Sequence, residues 1–188
     1  YSVAEYLERQ RITGLLVLKN GEIVTENYRY GRQDSARFLS FSMAKSVTSL
    51  LIGVAHTRGL ITSLDDTADK YVKALADSPY GATTIRQLLR MSSGLTFSER
   101  YDGNDDLSRL TKANDGVAGA GAPVDVLRSI KDRHSPAGGK FVYASAETDV
   151  LSRVLTAATG KTMADLTSEW LWKPMGAEHE AFWALTAD

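Results

Sequence analysis

Ser42-Met43-Ala44-Lys45 places a hydroxyl and an amine three positions apart. On a helix, residues at that spacing are neighbours, so the Lys45 amine can reach the Ser42 hydroxyl. Partial burial lowers a lysine pKa, and a neutral amine beside a serine can take its proton and free the oxygen to attack a carbonyl. The tetrapeptide opens the most apolar amphipathic helical pattern of the chain. The amino end of a helix favours negative charge developing on an alkoxide or an acyl oxyanion. By itself an S-x-x-K match is common by chance in 188 residues, and it reads equally as a serine N-cap with a solvent-facing lysine. Tyr143-Ala144-Ser145 adds a phenol able to relay protons and a small hydroxyl two residues on, at the start of another predicted helix. Alone, that triplet reads as a core tyrosine followed by a serine N-cap.

Other chemistries lack their residues. There is no G-x-S-x-G. Gly160-Lys161-Thr162 imitates the end of a phosphate loop, but the first glycine of that motif falls on Leu155. Gly119 and Gly121 would need a third glycine where Val124 stands, and His179-Glu180 meets Trp183 where a zinc helix needs its second histidine. His56, His134 and His179 have no ligand-like spacing. Asp65, Asp66 and Asp69 lie at the start of a predicted helix, where negative charge is favoured for its own sake.

The charges balance, 22 Lys and Arg against 23 Asp and Glu, which argues against a nucleic-acid or anionic-membrane binder. With 43% apolar residues and no cysteine, the chain reads as an ordinary globular domain without disulfides or thiolate chemistry. The longest apolar run, 50–55, is far below the roughly 20 residues of a membrane span, and no signal-peptide pattern opens the chain. The reading is cytoplasmic. The chain begins at Tyr1 rather than Met, which leaves room for an upstream segment.

These elements must position the candidate residues. Ser2 to Glu5 forms a capping box and predicts an opening helix. Leu15 to Leu18 reads as a strand, Asn20-Gly21 as a type I′ turn, and Ile23 to Tyr30 as the return strand, with a third short strand at Arg37 to Ser40. From Ser42 the apolar period becomes helical through Met43, Val47, Leu50, Leu51 and Val54, stopping before Gly59. Further helices are predicted over 65–72, 84–91, 123–130, 145–159 and 162–173, with loops over 92–106 and 116–122 and a strand-like 141–143. So many helices with so few strands leave the sheet short of the three or more strands it needs to cover a core.

Phe41-Ser42-Met43-Ala44-Lys45-Ser46-Val47 resembles the nucleophile helix of the serine β-lactamase/penicillin-binding superfamily. Three further stretches agree in order and spacing. Leu60-Ile61-Thr62-Ser63-Leu64-Asp65-Asp66 is similar to the segment after that helix in the class C β-lactamase and esterase branch. The stretch from Ile85 to Leu95 is similar to the branch's "LLxHTSGL" stretch, with Met91 in the histidine place. Phe141-Val142-Tyr143-Ala144-Ser145 is similar to its Tyr-x-Asn element, with Ser145 in the asparagine place. The Ser-Met-Ala-Lys wording and the Tyr-x-Ser departure most resemble the 6-aminohexanoate-dimer (nylon-oligomer) hydrolases and related carboxylesterases.

The resemblance implies an α+β fold of the β-lactamase/transpeptidase type, helices on an antiparallel sheet plus an all-helical subdomain. It also implies a serine hydrolase cleaving esters or small linear amides, with a class C-type β-lactamase or a non-turnover penicillin-binding module as alternatives. Ser42 would be the acylated nucleophile and Lys45 its base or proton shuttle. Tyr143 would deliver the proton to the leaving group and then activate water. Ser145 would help position the substrate or Lys45, Tyr101 would correspond to the loop tyrosine that touches amide substrates, and the Ser42 N–H would be half of an oxyanion hole. No metal or organic cofactor is implied, and the partner is a small ester or amide. The family's downstream Lys-Thr-Gly or His-x-Gly strand has no match after Tyr143. The expectation is therefore that residues 1–188 are the amino-terminal portion of one hydrolase domain, with 1–60 as hairpin and nucleophile helix and 61–188 mostly helical. The remainder would be cleaved off, carried on a second chain or simply lie beyond these residues, and activity would be absent or impaired without it.

Overall fold

The computed structural model describes residues 2–184, and contacts divide the chain into two compact units that meet between Leu39 and Ser40. In the first unit, Ser2 caps helix α1 (Val3–Arg9) through the predicted capping box with Glu5. Strands β1 (Gly14–Lys19) and β2 (Glu22–Tyr28) pair antiparallel, and Asn20 and Gly21 both take positive φ, as a type I′ turn requires. A bulge interrupts the ladder between Val17 and Leu18. The Arg29 guanidinium donates to the Leu7 carbonyl and ties the hairpin to α1. Residues 37–40 do not form the expected third strand; Phe38 stacks on the Tyr28 ring instead, centroids 6.4 Å apart. Leu16, Leu18, Ile23 and Val24 stay at least half exposed, so this two-stranded sheet buries neither face fully.

The second unit is helical. Its long helices are α2 (Ala44–Thr57) and α6 (Ser145–Thr159). They pack on each other through Leu51, Ile52 and Ala55 of α2 and Val150, Leu151, Val154 and Leu155 of α6, all buried. The apolar positions of each helix recur at i, i+3/i+4, so one stripe of each faces the common core. α2 ends ahead of Gly59 and α6 at Gly160, both glycines in the left-handed conformation that closes a helix. α3 (Ile85–Leu89) starts on a Thr84–Gln87 capping box. α5 (Pro123–Ser129) starts with proline at its first turn, where no N–H is needed.

Three expectations fail here for physical reasons. The helix over 65–72 is replaced by two 3₁₀ turns, Ala68–Lys70 and Lys73–Leu75, because Asp66, Thr67 and Thr83–Ile85 satisfy each other's backbone groups across the chain. The stretch 141–143 is extended but joins no sheet; Val142 N–H donates to the Met91 carbonyl at 2.9 Å. The predicted helix over 162–173 is α7 (Met163–Thr167) running into a π-helical turn, Ser168–Trp172. One helix went unpredicted, α4 (Asp106–Asn114), whose cap is Asp105. Among the described residues no helix is long and apolar enough to cross a membrane.

Candidate active site

Ser42 lies in a 3₁₀ turn, Phe41–Met43, that feeds α2, rather than inside the first α-helical turn. Phe41 takes φ +43°, a left-handed conformation that is costly for a bulky side chain and turns the backbone sharply just before Ser42. The Ala44 N–H returns to the carbonyls of Phe41 and Ser42, so the turn continues into the helix without a break. Lys45 Nζ donates to Ser42 Oγ at 3.0 Å. The Tyr143 hydroxyl, 101 positions away, donates to the same oxygen at 2.6 Å. The Lys45 ammonium lies 5.0 Å from the centre of the Tyr143 ring. A hydroxyl, an amine and a phenol thus meet at one oxygen.

Two ties place Tyr143. On its amino side, Val142 is bonded to Met91, the residue that stands where the related branch carries histidine. On its carboxyl side, Glu147 in the first turn of α6 accepts from Ser93 N–H at 3.2 Å and Ser93 Oγ at 2.7 Å. Glu147 is only 2% exposed, and burial pushes its carboxyl up to about 7, the donors from Ser93 and Ser92 offsetting part of the rise. The Tyr143 phenol moves the other way. Partial burial opposes its ionisation, but the Lys45 ammonium and the Ser42 hydroxyl outweigh that, so the phenol is more acidic than an ordinary tyrosine. That direction suits a group that must both take and return a proton.

Ser145 and Tyr101 sit beside this centre and share one partner that sequence reasoning missed. Glu99 Oε1 accepts from the Tyr101 hydroxyl at 2.7 Å and from Ser145 Oγ at 2.8 Å, while Oε2 accepts from the Ser145 N–H at 2.7 Å. The hydrogen bond to Glu99 is the main reason the Tyr101 phenol is pushed up to about 12. Ser145 is therefore tied to the loop carboxylate rather than to Lys45. Tyr101 itself is exposed and takes φ +59°. Its conformation is imposed by the buried Asp105, whose Oδ2 accepts from the backbone N–H groups of Arg100 and Tyr101 at 2.6 and 2.8 Å, while Oδ1 caps α4 at Ser108. The bond from Ser108 Oγ, with these three, holds the Asp105 carboxyl well below the usual carboxylate range. An aspartate three residues before Ser108 is a readable N-cap signal; nothing local marks Glu99 or Glu147.

The decoys resolve into local structure. Asp65 pairs with Arg86, Asp66 gathers Thr62, Ser63, Lys70 and Tyr71, and Asp69 accepts from Thr67, so the three carboxylates serve separate networks instead of capping a helix. His56 Nδ1 bonds the Ile61 carbonyl at 2.8 Å beyond the end of α2. A groove of about 830 Å³ runs beside Lys45 and Ser145 between α2, α6 and α7, with Thr48, Ser152, Met163 and Trp183 on its walls.

Comparison with known proteins bears on the family and the fold. The Beta-lactamase family model matches residues 2–188. The chain is 29% identical over 181 residues to the 6-aminohexanoate-dimer hydrolase of Paenarthrobacter ureafaciens, covering 93% of this chain and 45% of that protein. It is similar in structure to a Bacillus anthracis protein provisionally named a 6-aminohexanoate-dimer hydrolase, with a TM-score of 0.79 at 25% identity over 92% of this chain and 46% of that one. A class C β-lactamase from Rhodobacter sphaeroides shares the fold at a TM-score of 0.63 and 23% identity, over 92% of this chain and 47% of that one. The fold is β-lactamase/transpeptidase-like, and the chain spans less than half the length of each of these relatives.

Proposed function

This chain belongs to the beta-lactamase family, and we propose that it carries the nucleophilic part of a serine hydrolase that cleaves esters or small linear amides through an acyl-enzyme on Ser42. The single observation that supports this reading is the Ser42 oxygen held 3.0 Å from Lys45 Nζ and 2.6 Å from the Tyr143 hydroxyl. When the phenol is ionised, the short contact reverses and the serine hydroxyl donates along it. Ser42 Oγ then bonds to the substrate carbonyl carbon as its proton passes to Tyr143, with the Lys45 ammonium holding the charge in place. The bond to the leaving group breaks, and the same proton goes from Tyr143 to the departing alcohol or amine. A water molecule then gives its proton to Tyr143 and its hydroxide to the acyl carbon, and Ser42 leaves with that proton. Ser145 and Tyr101 border the substrate, and the Ser42 N–H at the start of α2 is one oxyanion donor. The 29% identity to a 6-aminohexanoate-dimer hydrolase supports testing linear amides as substrates. The proposal includes a cytoplasmic setting, and the second wall of the cleft supplied by further residues or by a second chain.

Intact-mass spectrometry after exposure to p-nitrophenyl butyrate tests it. A butyryl adduct that maps to Ser42 and vanishes in Ser42→Ala is expected; an adduct undiminished in that variant excludes the nucleophile. Turnover of p-nitrophenyl butyrate, a linear amide dimer and a cephalosporin separates esterase, amidase and β-lactamase. A second reading is stoichiometric acylation without turnover, and a butyryl adduct that persists with no continued release of p-nitrophenol separates it from hydrolysis.

A further inference from the structure

The first turn of α6 leaves backbone N–H groups that the helix cannot satisfy, and its N-cap residue, Ala144, has no side chain able to accept one. A carboxylate from a distant loop fills that place. Glu99 takes the N–H and hydroxyl of Ser145 and, with the same Oε1, the hydroxyl of Tyr101. Ser145 is two residues after Tyr143, and Tyr101 is two residues after Glu99, so one side chain joins the loop over 92–105 to the segment that carries the phenol. Asp105 fixes the other side of that loop through the Arg100 and Tyr101 amides, while Glu99 is hydrogen-bonded to both Tyr101 on the loop and Ser145 at the start of α6.

We propose that Glu99 is a positioning residue of this site, a cap supplied in trans to α6 that holds Tyr101 and Ser145 at the cleft. The charge of the carboxylate opposes ionisation of the Tyr143 phenol, against the pull of Lys45 and Ser42. Glu99 therefore does two separable things. Its shape orders three hydrogen-bond donors, and its charge keeps the phenol from ionising too far below the ordinary range. An amide in its place could still accept from the two hydroxyls through its oxygen, but its NH2 would face the Ser145 N–H, donor against donor. Aspartate keeps the charge and retracts it by one methylene.

The inference rests on the hydrolase reading only for its kinetic arm. In the full chain, Ser42 acylation by p-nitrophenyl butyrate is followed by mass spectrometry across pH 6–10 for wild type, Glu99→Gln, Glu99→Asp and Glu99→Ala. Glu99→Ala is expected to slow acylation roughly tenfold by releasing the Tyr101 loop and the start of α6. Glu99→Gln is expected to move the midpoint of the pH–rate curve down, while Glu99→Asp keeps the wild-type midpoint. Rates and midpoints unchanged in both the Ala and Gln variants overturn the proposal. Should wild type show no acylation at all, the hydrolase reading fails by itself and Glu99 is judged on the same proteins by NMR. With 13C-labelled tyrosine at pH 10.5, Tyr101 is expected to be protonated in wild type and substantially ionised in Glu99→Ala, which has no acceptor for its hydroxyl, and the Ser145 amide is expected to lose exchange protection in the same variant. Tyr101 still protonated and the Ser145 amide equally protected in the Ala variant overturn it.

Discussion

Glu147 offers the sharpest test of how the buried site is held. Its carboxyl lies 2% exposed between α6 and the Ser92–Gly94 backbone; Oε1 takes both Ser93 donors, and Oε2 is buried without a hydrogen-bond partner. Burial raises its pKa from 4.5 to about 7, so the folded protein prefers the neutral acid. For a folded pKa raised above the unfolded one, stability is fully present below the unfolded value and is lost as pH rises through the folded value. At about 1.4 kcal/mol per unit the whole effect is about 3 kcal/mol, and most of it disappears between pH 5 and pH 8. Glu147→Gln removes the ionisation while keeping an oxygen for Ser93, and its NH2 takes the place of the acid's hydroxyl. Urea unfolding followed by circular dichroism at pH 5, 6, 7 and 8 should show the two proteins nearly equal at pH 5. At pH 8 the variant should be more stable by about 2 kcal/mol, which is roughly 4–8 °C in Tm for a chain of this size. Every other titrating group is common to both proteins and cancels in the difference. A gap that does not widen with pH would falsify the account of a carboxyl buried at an energetic cost.

Four further outcomes are expected. Tyr143→Phe removes the 2.6 Å contact to Ser42 and should slow acylation by roughly 10²- to 10⁴-fold. In wild type the same rate should rise with pH and level off below the ordinary tyrosine range, since the phenol must be ionised to accept the serine proton; a rate flat from pH 6 to 10 contradicts that. Asp105→Ala strips the cap from α4 and frees the Arg100 and Tyr101 amides, so hydrogen exchange at the Ser108 and Tyr101 amides should quicken roughly five- to tenfold; unchanged exchange would show the loop is held elsewhere. Gly94→Ala should destabilise by about 2 kcal/mol or more, measured by urea unfolding, because Gly94 has φ +78° and an added Cβ would stand 2.2 Å from the Ser135 carbonyl oxygen.

What could be read along the chain was whatever its near neighbours decide. The Ser2 and Thr84 capping boxes, the Asn20-Gly21 turn, the proline at the start of α5 and the left-handed Gly160 after α6 are each set by residues within a few positions. The Ser42–Lys45 pair belongs to the same class, since three residues of one turn bring hydroxyl and amine together. Strand expectations at 37–40 and 141–143 failed because an extended, apolar stretch becomes a strand only where a partner edge meets it. The helix over 65–72 gave way for a related reason, as its backbone found partners across the chain at Thr83 to Ile85.

The rest depended on which distant segments came to lie side by side. The resemblance of four ordered motifs to a known family was enough to point to that family and to name Ser42, Lys45 and Tyr143 as candidates. It could not show that a phenol 101 residues away donates to the Ser42 oxygen, that Glu99 is bonded to both Tyr101 and Ser145, or that Glu147 is buried deeply enough to titrate near neutrality. Backbone propensity acts over a turn or two. Proton affinity and the meeting of side chains depend on burial and on neighbours that only the packing of α2 against α6 and the 92–105 loop provides.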